Sequence, residues 1–540
     1  MPSTTPQSGQ WRPAPAFPRQ APLAYPVGWV PFPGNRLLVY TQGGQVFLLP
    51  NDPSSADREE ILDLRRRTMG YGDTGLLNVV LHPEFGRPGS PNRGHLYVWY
   101  ATYEGDFPTS FEYTTWNRLS RFTIPDGGTR VDPGTELVLI EQADRHLFHA
   151  GGGMFFHPED GFLYLAVADE GSQNDALESA QQVERGLFSG VLRIDVDQRG
   201  GEVSHPIRRQ PVWGRTQHYF IPNDNPWVGE EGVLEEFWAI GLRNPHRLTQ
   251  DPVGGRAWIA DVGQLQREEI NVLERGANYG WPFREGDLAG PRERPERVRG
   301  REVDPVWSYG RDAGFCIIGG LVYRGERHRD RLGGKYLFAD LGGVLRAATL
   351  DAAGTSVVSV EEMGYLNTPW DVASLGEDPS GEILITGLVS GVLWRLEFVP
   401  GGATALPGRL SETGLFRDVG RLEPAPGVTP YDVLSPLWSD GAEKRRWLAV
   451  PHDPARPEGS PGIRFAADGP WDFPPGTVAV KHFEIRTNEL DPQSLRRLET
   501  RVLVQTGVGG VYGVTYRWRP GADDAELQVV ADREELVIQT

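Results

Sequence analysis

Cysteine is almost absent: Cys316 stands alone among 540 residues. A single thiol forms no intramolecular disulfide, no cysteine-based zinc site and no C-x-x-C-H haem attachment. Its neighbours Phe315 and Ile317 mark it as a small buried hydrophobe. Positive charge is also short. Lys and Arg number 54 against 73 Asp and Glu, a net charge of −19, and a field of that sign repels the phosphates of a nucleic acid. No apolar run approaches the roughly 18 residues of a transmembrane helix. The N-terminal MPSTTPQSGQWRPAPAFPRQAP has no apolar h-region, so residues 1–17 are expected to form a flexible arm rather than a signal peptide. The chain is then either cytosolic or separated from a leader.

What is present reads as globular and β-rich. Hydrophobic residues are 39% and charged residues 24% of the chain, and 540 residues exceed one ordinary core. Gly (67) and Pro (45) are scattered among apolar runs, as suits short strands with tight turns. One pattern recurs: a Gly-led turn, a strand, a polar break and a second alternating strand. It appears as GNRLLVYTQGGQVFLLP from Gly34, HLYVWYATYEG from His95 and GFLYLAVADEG from Gly161. It returns as GRAWIADVGQLQREEINVL from Gly255, GKYLFADLGGVLRAATL from Gly334 and GEILITGLVSGVLWRLEFV from Gly381. Six antiparallel hairpins in succession predict an all-β, six-bladed propeller, although two stacked sandwiches would use the same strands. A long insertion between the third and fourth units carries Trp213, Tyr219, Phe220 and Trp227. It is expected to pack over one end of the propeller.

Three places carry candidate chemistry. His149 precedes Gly151 to Gly153, where the backbone can approach a ligand or a neighbouring sheet closely, and an imidazole can act as general base. Arg243 and Asn244 stand before Pro245 in AIGLRNPHR and suit polarisation of a carbonyl or oxyanion. The segment from Asp261 to Pro282, DVGQLQREEINVLERGANYGWP, offers carboxylates and carbonyls as hard oxygen donors for calcium. Each reads equally as ordinary structure when taken alone.

Their conjunction is more specific. H-x-G-G, D-G-x-L-Y, G-L-R-N-P, D-V-G-Q-x-x-x-E-E-I-N and G-x-N-Y-G-W-P follow one another in that order, with GLLNVVLHPEF at Gly75 and GGLVYRG at Gly319. From about Pro18 to Val399 the chain resembles the glucose/sorbosone dehydrogenase family, soluble sugar dehydrogenases that use pyrroloquinoline quinone (PQQ). The resemblance implies that His149 takes the proton of a sugar hydroxyl while hydride passes to the quinone. It implies that Arg243 and Asn244 contact the cofactor carbonyls, and that main-chain carbonyls near Gly263 and Gln264 hold calcium. Asp169, in ADEG, matches an acidic position that supports the histidine or the pocket wall. It further implies a carbohydrate substrate, a cytochrome c as electron acceptor, and a periplasmic or extracellular location.

Departures from the pattern cluster at the cofactor. The early glutamine is replaced by Asp73. No basic residue stands near Asp340 or Leu341, where a lysine is expected. Two arginines before D-V are replaced by Thr368 and Trp370 in NTPWDV. A trianion losing several charge-assisted contacts binds far more weakly, so a propeller that binds a carbohydrate or protein without catalysis is the alternative expectation. The domain plan is an arm over 1–17, the propeller over 18–400, a Gly/Pro/Ala linker over 401–410 and a smaller β-rich accessory domain over 411–540. In that last part Trp438, Ser439, Asp440, Lys444 and Arg446 form either a groove or a solvated turn. The strand-like run Glu534 to Gln539 at the chain's end suggests a domain-level piece of a longer protein.

Overall fold

The computed structural model describes residues 10–103, 115–366, 370–399, 406–435, 438–439, 441–451, 462–467, 471–506, 511–528 and 536–539. Thr368, Asp440 and Glu534, singled out above, lie outside them. The protein is nearly all β, and two compact units separate: Trp11–Phe398, and residues 1–10 with 399–540.

Among the described residues of Trp11–Phe398, six sheets of four or more strands follow one another. Their inner strands are Pro26–Phe32, Leu76–Leu81, Met154–Phe156, Arg247–Gln250, Ile317–Val322 and Val372–Glu377; the sheets are called 1 to 6 in that order. Each inner strand touches the next, and that of sheet 6 touches that of sheet 1, so the ring closes. A separate apolar cluster fills each junction. Leu38, Val46, Leu96 and Val98 join sheets 1 and 2; Leu77, Trp99, Leu165 and Leu192 join 2 and 3. Tyr164, Val191, Leu248 and Ile259 join 3 and 4, and Trp258, Ile270, Tyr336 and Phe338 join 4 and 5. Leu337, Leu345, Leu375 and Ile385 join 5 and 6, while Leu37, Val39, Leu384 and Leu393 close 6 onto 1. Strands buried on both faces explain why these runs are nearly continuous in Val, Ile, Leu and aromatics.

Two expectations change. Residues 10–15, assigned to a flexible arm, form the strand Gln10–Pro15 at the edge of sheet 6. Trp11 anchors it edge-on to His328 (4.8 Å) and Phe398 (5.1 Å), apolar contacts that a solvated arm does not make. The long insertion does not cap an end. Its strand Gly214–Thr216 extends sheet 2 beyond Asp132–Asp144, and Tyr219 and Trp227 are buried in the junction of sheets 2 and 3.

The other unit holds a six-stranded antiparallel sheet of Val428–Pro430, Glu443–Ala449, Val478–Arg486, Leu495–Gln505, Val511–Trp518 and Ala525–Leu527. One face packs Trp447, Val480, Val502, Val504 and Tyr516 against Leu410, Leu415 and Phe416.

Candidate active site

At the centre of the ring lies a cavity of about 130 Å³, lined in part by Gln42, Asp73, Asn244, His246, Cys316 and Leu341. The segment Phe148–Gly153 leads into the inner strand of sheet 3. His149 there has a left-handed backbone, φ 63°. Glycine is needed just beyond it, because a Cβ at Gly153 would lie 2.4 Å from the Leu248 nitrogen of sheet 4. The Gly-Gly-Gly run is therefore a close approach of two sheets.

His149 meets Asp169. Nδ1 lies 2.7 Å from Asp169 Oδ1, and the carboxylate, wholly buried, also accepts from Gly171 N (3.0 Å) and Trp281 Nε1 (2.7 Å). A carboxylate on Nδ1 fixes the tautomer with hydrogen there and leaves Nε2 as the acceptor. Asp73 Oδ2 accepts the His149 amide at 3.3 Å.

Arg243 and Asn244 join the same constellation. The buried Asp261 takes their two backbone N–H groups, at 2.9 and 2.7 Å, which fixes the turn before Pro245. Burial, reinforced by neighbouring Glu269, holds the Asp261 carboxyl well above the usual carboxylate range. Asn244 Oδ1 accepts from Gly151 N at 3.3 Å, and the Arg243 carbonyl accepts from Asp169 N at 2.9 Å. The Arg243 guanidinium lies over the Trp281 ring, 5.4 Å from its centroid, and Nη1 donates to the carbonyls of Val262 and Gly263, both at 2.9 Å. His149, Asp169, Arg243, Asn244 and Asp73 are thus one connected network.

The remaining candidates lie around it. Trp370, more than half exposed, has its ring 5.0 Å from that of Phe315 and donates its amide to the Leu341 carbonyl. Gln264 spends its side chain on Asn174 (2.7 and 2.5 Å). Its amide and those of Leu265 and Gln266 converge at 2.7 Å on Glu285 Oε1.

Three residues of this site carried no assignment from sequence. Trp281 stood in G-x-N-Y-G-W-P but showed its role only through Asp169, 112 positions away. His146 packs against Phe148, ring centroids 5.3 Å apart, and burial, then the charge of His149, pulls it below the usual imidazole range. His246 lines the cavity, and burial pulls its imidazole down to about 3, so it stays neutral.

The cofactor can be tested against these residues. The orphaned, buried Nε of Arg243 and the Phe315–Trp370 pair suit a flat conjugated ring. The charges do not suit PQQ with calcium. Among the described residues lining the cavity, Asp73 is the one Asp, Glu, Lys or Arg, an acidic residue opposite in sign to what three carboxylates require. The Gly263 carbonyl already carries a guanidinium N–H, so a divalent cation there would sit against a fixed positive charge. Among the described residues no group of three His, Cys, Asp or Glu side chains could hold a metal ion.

The family model for glucose/sorbosone dehydrogenase matches residues 23–205 and 216–395. The chain belongs to that family. Among curated relatives, the HIPL1 protein of Arabidopsis thaliana is 35% identical over 371 residues, 58% of this chain and 50% of that protein. The Hedgehog-interacting protein of Homo sapiens is 26% identical over 65% of this chain and 46% of its own length. The chain spans about half the length of the curated relatives it matches. Among solved structures, the soluble aldose sugar dehydrogenase of Escherichia coli in its apo form superposes with a TM-score of 0.54 at 21% identity, over 72% of this chain and 99% of that one. The glucose/sorbosone dehydrogenase part of this chain therefore shares the β-propeller fold of a sugar dehydrogenase.

Proposed function

We propose that the six sheets are the six blades of a propeller whose axial site binds a carbohydrate alcohol, with His149 accepting its hydroxyl proton. This is the proton half of a sugar dehydrogenase reaction. The observation that carries the reading is the His149–Asp169 contact at 2.7 Å, with Trp281 and Gly171 also on the carboxylate. A hydroxyl bound at His149 Nε2 gives up its proton there, and buried Asp169 stabilises the imidazolium that results. Asn244 holds Gly151 and hence the histidine loop, and Arg243 supplies the positive charge nearest to a developing oxyanion. The hydride half needs a two-electron acceptor of quinone or redox-dye class supplied from outside the chain, which in this reading passes its electrons to a cytochrome c, in a periplasmic or extracellular setting. No step is assigned to PQQ or calcium, because the charge set around the cavity opposes them.

A second reading, carbohydrate or protein binding without oxidation, is favoured by that same charge set, Asp73 and Trp370 standing where the family's cofactor contacts are expected. One experiment separates the two. Purified protein is assayed for aldose-dependent reduction of a redox dye, with and without added PQQ and calcium, alongside calorimetric titration of the same aldoses. Dye reduction supports the dehydrogenase. Aldose binding without reduction under any condition supports the binding module.

A further inference from the structure

The six-stranded sheet of the C-terminal unit carries a second candidate site on the face opposite its core. Strand alternation sends Val502 and Val504 into the core and Leu503 outward. Register places Leu448 opposite Ala479 and Ala479 opposite Leu503. With Ile463, Trp471, Phe473 and Val511 these residues enclose a cavity of about 400 Å³, and Thr477 and Gln505 are among its few polar liners. A sheet face this apolar is unusual away from a core.

The next row on the same face has the opposite character. Arg446 lies directly across from Lys481, and Lys481 from Arg501. Each is two residues from a cavity-lining Leu448, Ala479 or Leu503, so it points to the same side. Three cations in one cross-strand row repel one another. Among the described residues Asp432 pairs with Arg446 (3.1 Å) and Glu499 with Arg501 (2.5 Å), while no carboxylate pairs with Lys481, whose ammonium rests over the Phe483 ring, 4.9 Å from its centroid. Burial, then the charges of Arg446, Lys444 and Arg501, hold the Lys481 ammonium below its ordinary range. In a chain of net charge −19, this local excess of cations beside an apolar cavity has a clear complement. We propose that this face binds a single-chain amphiphile of fatty-acid type, its apolar body in the cavity and its anionic head on Lys481, Arg446 and Arg501.

Decanoate is the probe, titrated into the full chain by calorimetry, with decanol as the uncharged control. Decanoate binding is expected to exceed decanol binding. Lys481→Met, which keeps the stem and removes the charge, is expected to weaken decanoate about tenfold and leave decanol unchanged. Leu503→Trp, at a half-exposed position that tolerates a larger side chain, is expected to fill the cavity and weaken both, with an unchanged melting temperature as the check on folding. Equal binding of decanoate and decanol, or indifference to Lys481→Met, would overturn the proposal. So would concentration-dependent dimerisation through this face, or flotation with phosphatidylglycerol vesicles, in the absence of decanoate binding.

Discussion

Arg247 shows how much one side chain does near the axis. From the inner strand of sheet 4, its Nη2 donates to the carbonyls of Val27 (2.8 Å) and Ala373 (2.9 Å) and its Nη1 to Leu77 (3.5 Å), which belong to sheets 1, 6 and 2. Burial lowers its basicity while Tyr40 beside it counters. Replacing it by Met leaves buried carbonyls unpaired, so Arg247→Met is expected to cost about 3 kcal/mol, read as a lower urea midpoint with an unchanged slope. An unchanged midpoint would mean the carbonyls find other donors. The sequence motif G-L-R-N-P singled out Arg243 and Asn244, because they match a family pattern. Arg247, two positions past the end of that motif, was not singled out, because its partners lie 126 to 220 residues away and nothing local encodes them. The same holds for Trp281 and Asp261, whose roles are defined by the group each one holds.

At the scale of elements, alternation and Gly-led turns were enough to find one hairpin in each of the six sheets that form the ring. They could not find Gln10–Pro15. QWRPAP contains two prolines and no alternation, and it is a strand only because the exposed edge of Leu393–Val399 offers it partners. Deleting residues 1–16 should therefore expose that edge and the faces of His328 and Phe398 that Trp11 covers. The expected result is a lower melting temperature and a shift to larger species in sedimentation than the parent shows. A deletion variant as stable and monodisperse as the parent would return this segment to the status of an arm. The aromatic insertion misled for a related reason: its rings signal burial, but composition does not say whether the burial is axial or at a sheet's outer edge.

For the whole molecule, buried carboxyls set the response to pH. Burial pushes Asp175, Glu236 and Glu268 each up to about 7. The folded state then holds these protons more tightly than the unfolded chain does. Their stabilising contribution is present at low pH and is lost as pH rises between about 4 and 7. A net charge of −19 adds self-repulsion in the same direction. The melting temperature should be higher at pH 6 than at pH 8, and Glu236→Gln should flatten the difference. A flat or inverted profile between those values would contradict the assignment. The central claim, that His149 held by Asp169 takes a proton from a bound carbohydrate, is tested most directly by turnover. With saturating aldose and a redox dye, His149→Ala should lose about 10²–10⁴-fold in rate while calorimetry still detects the aldose. Equal turnover by His149→Ala and the parent protein, or no turnover by the parent with any acceptor, would contradict it.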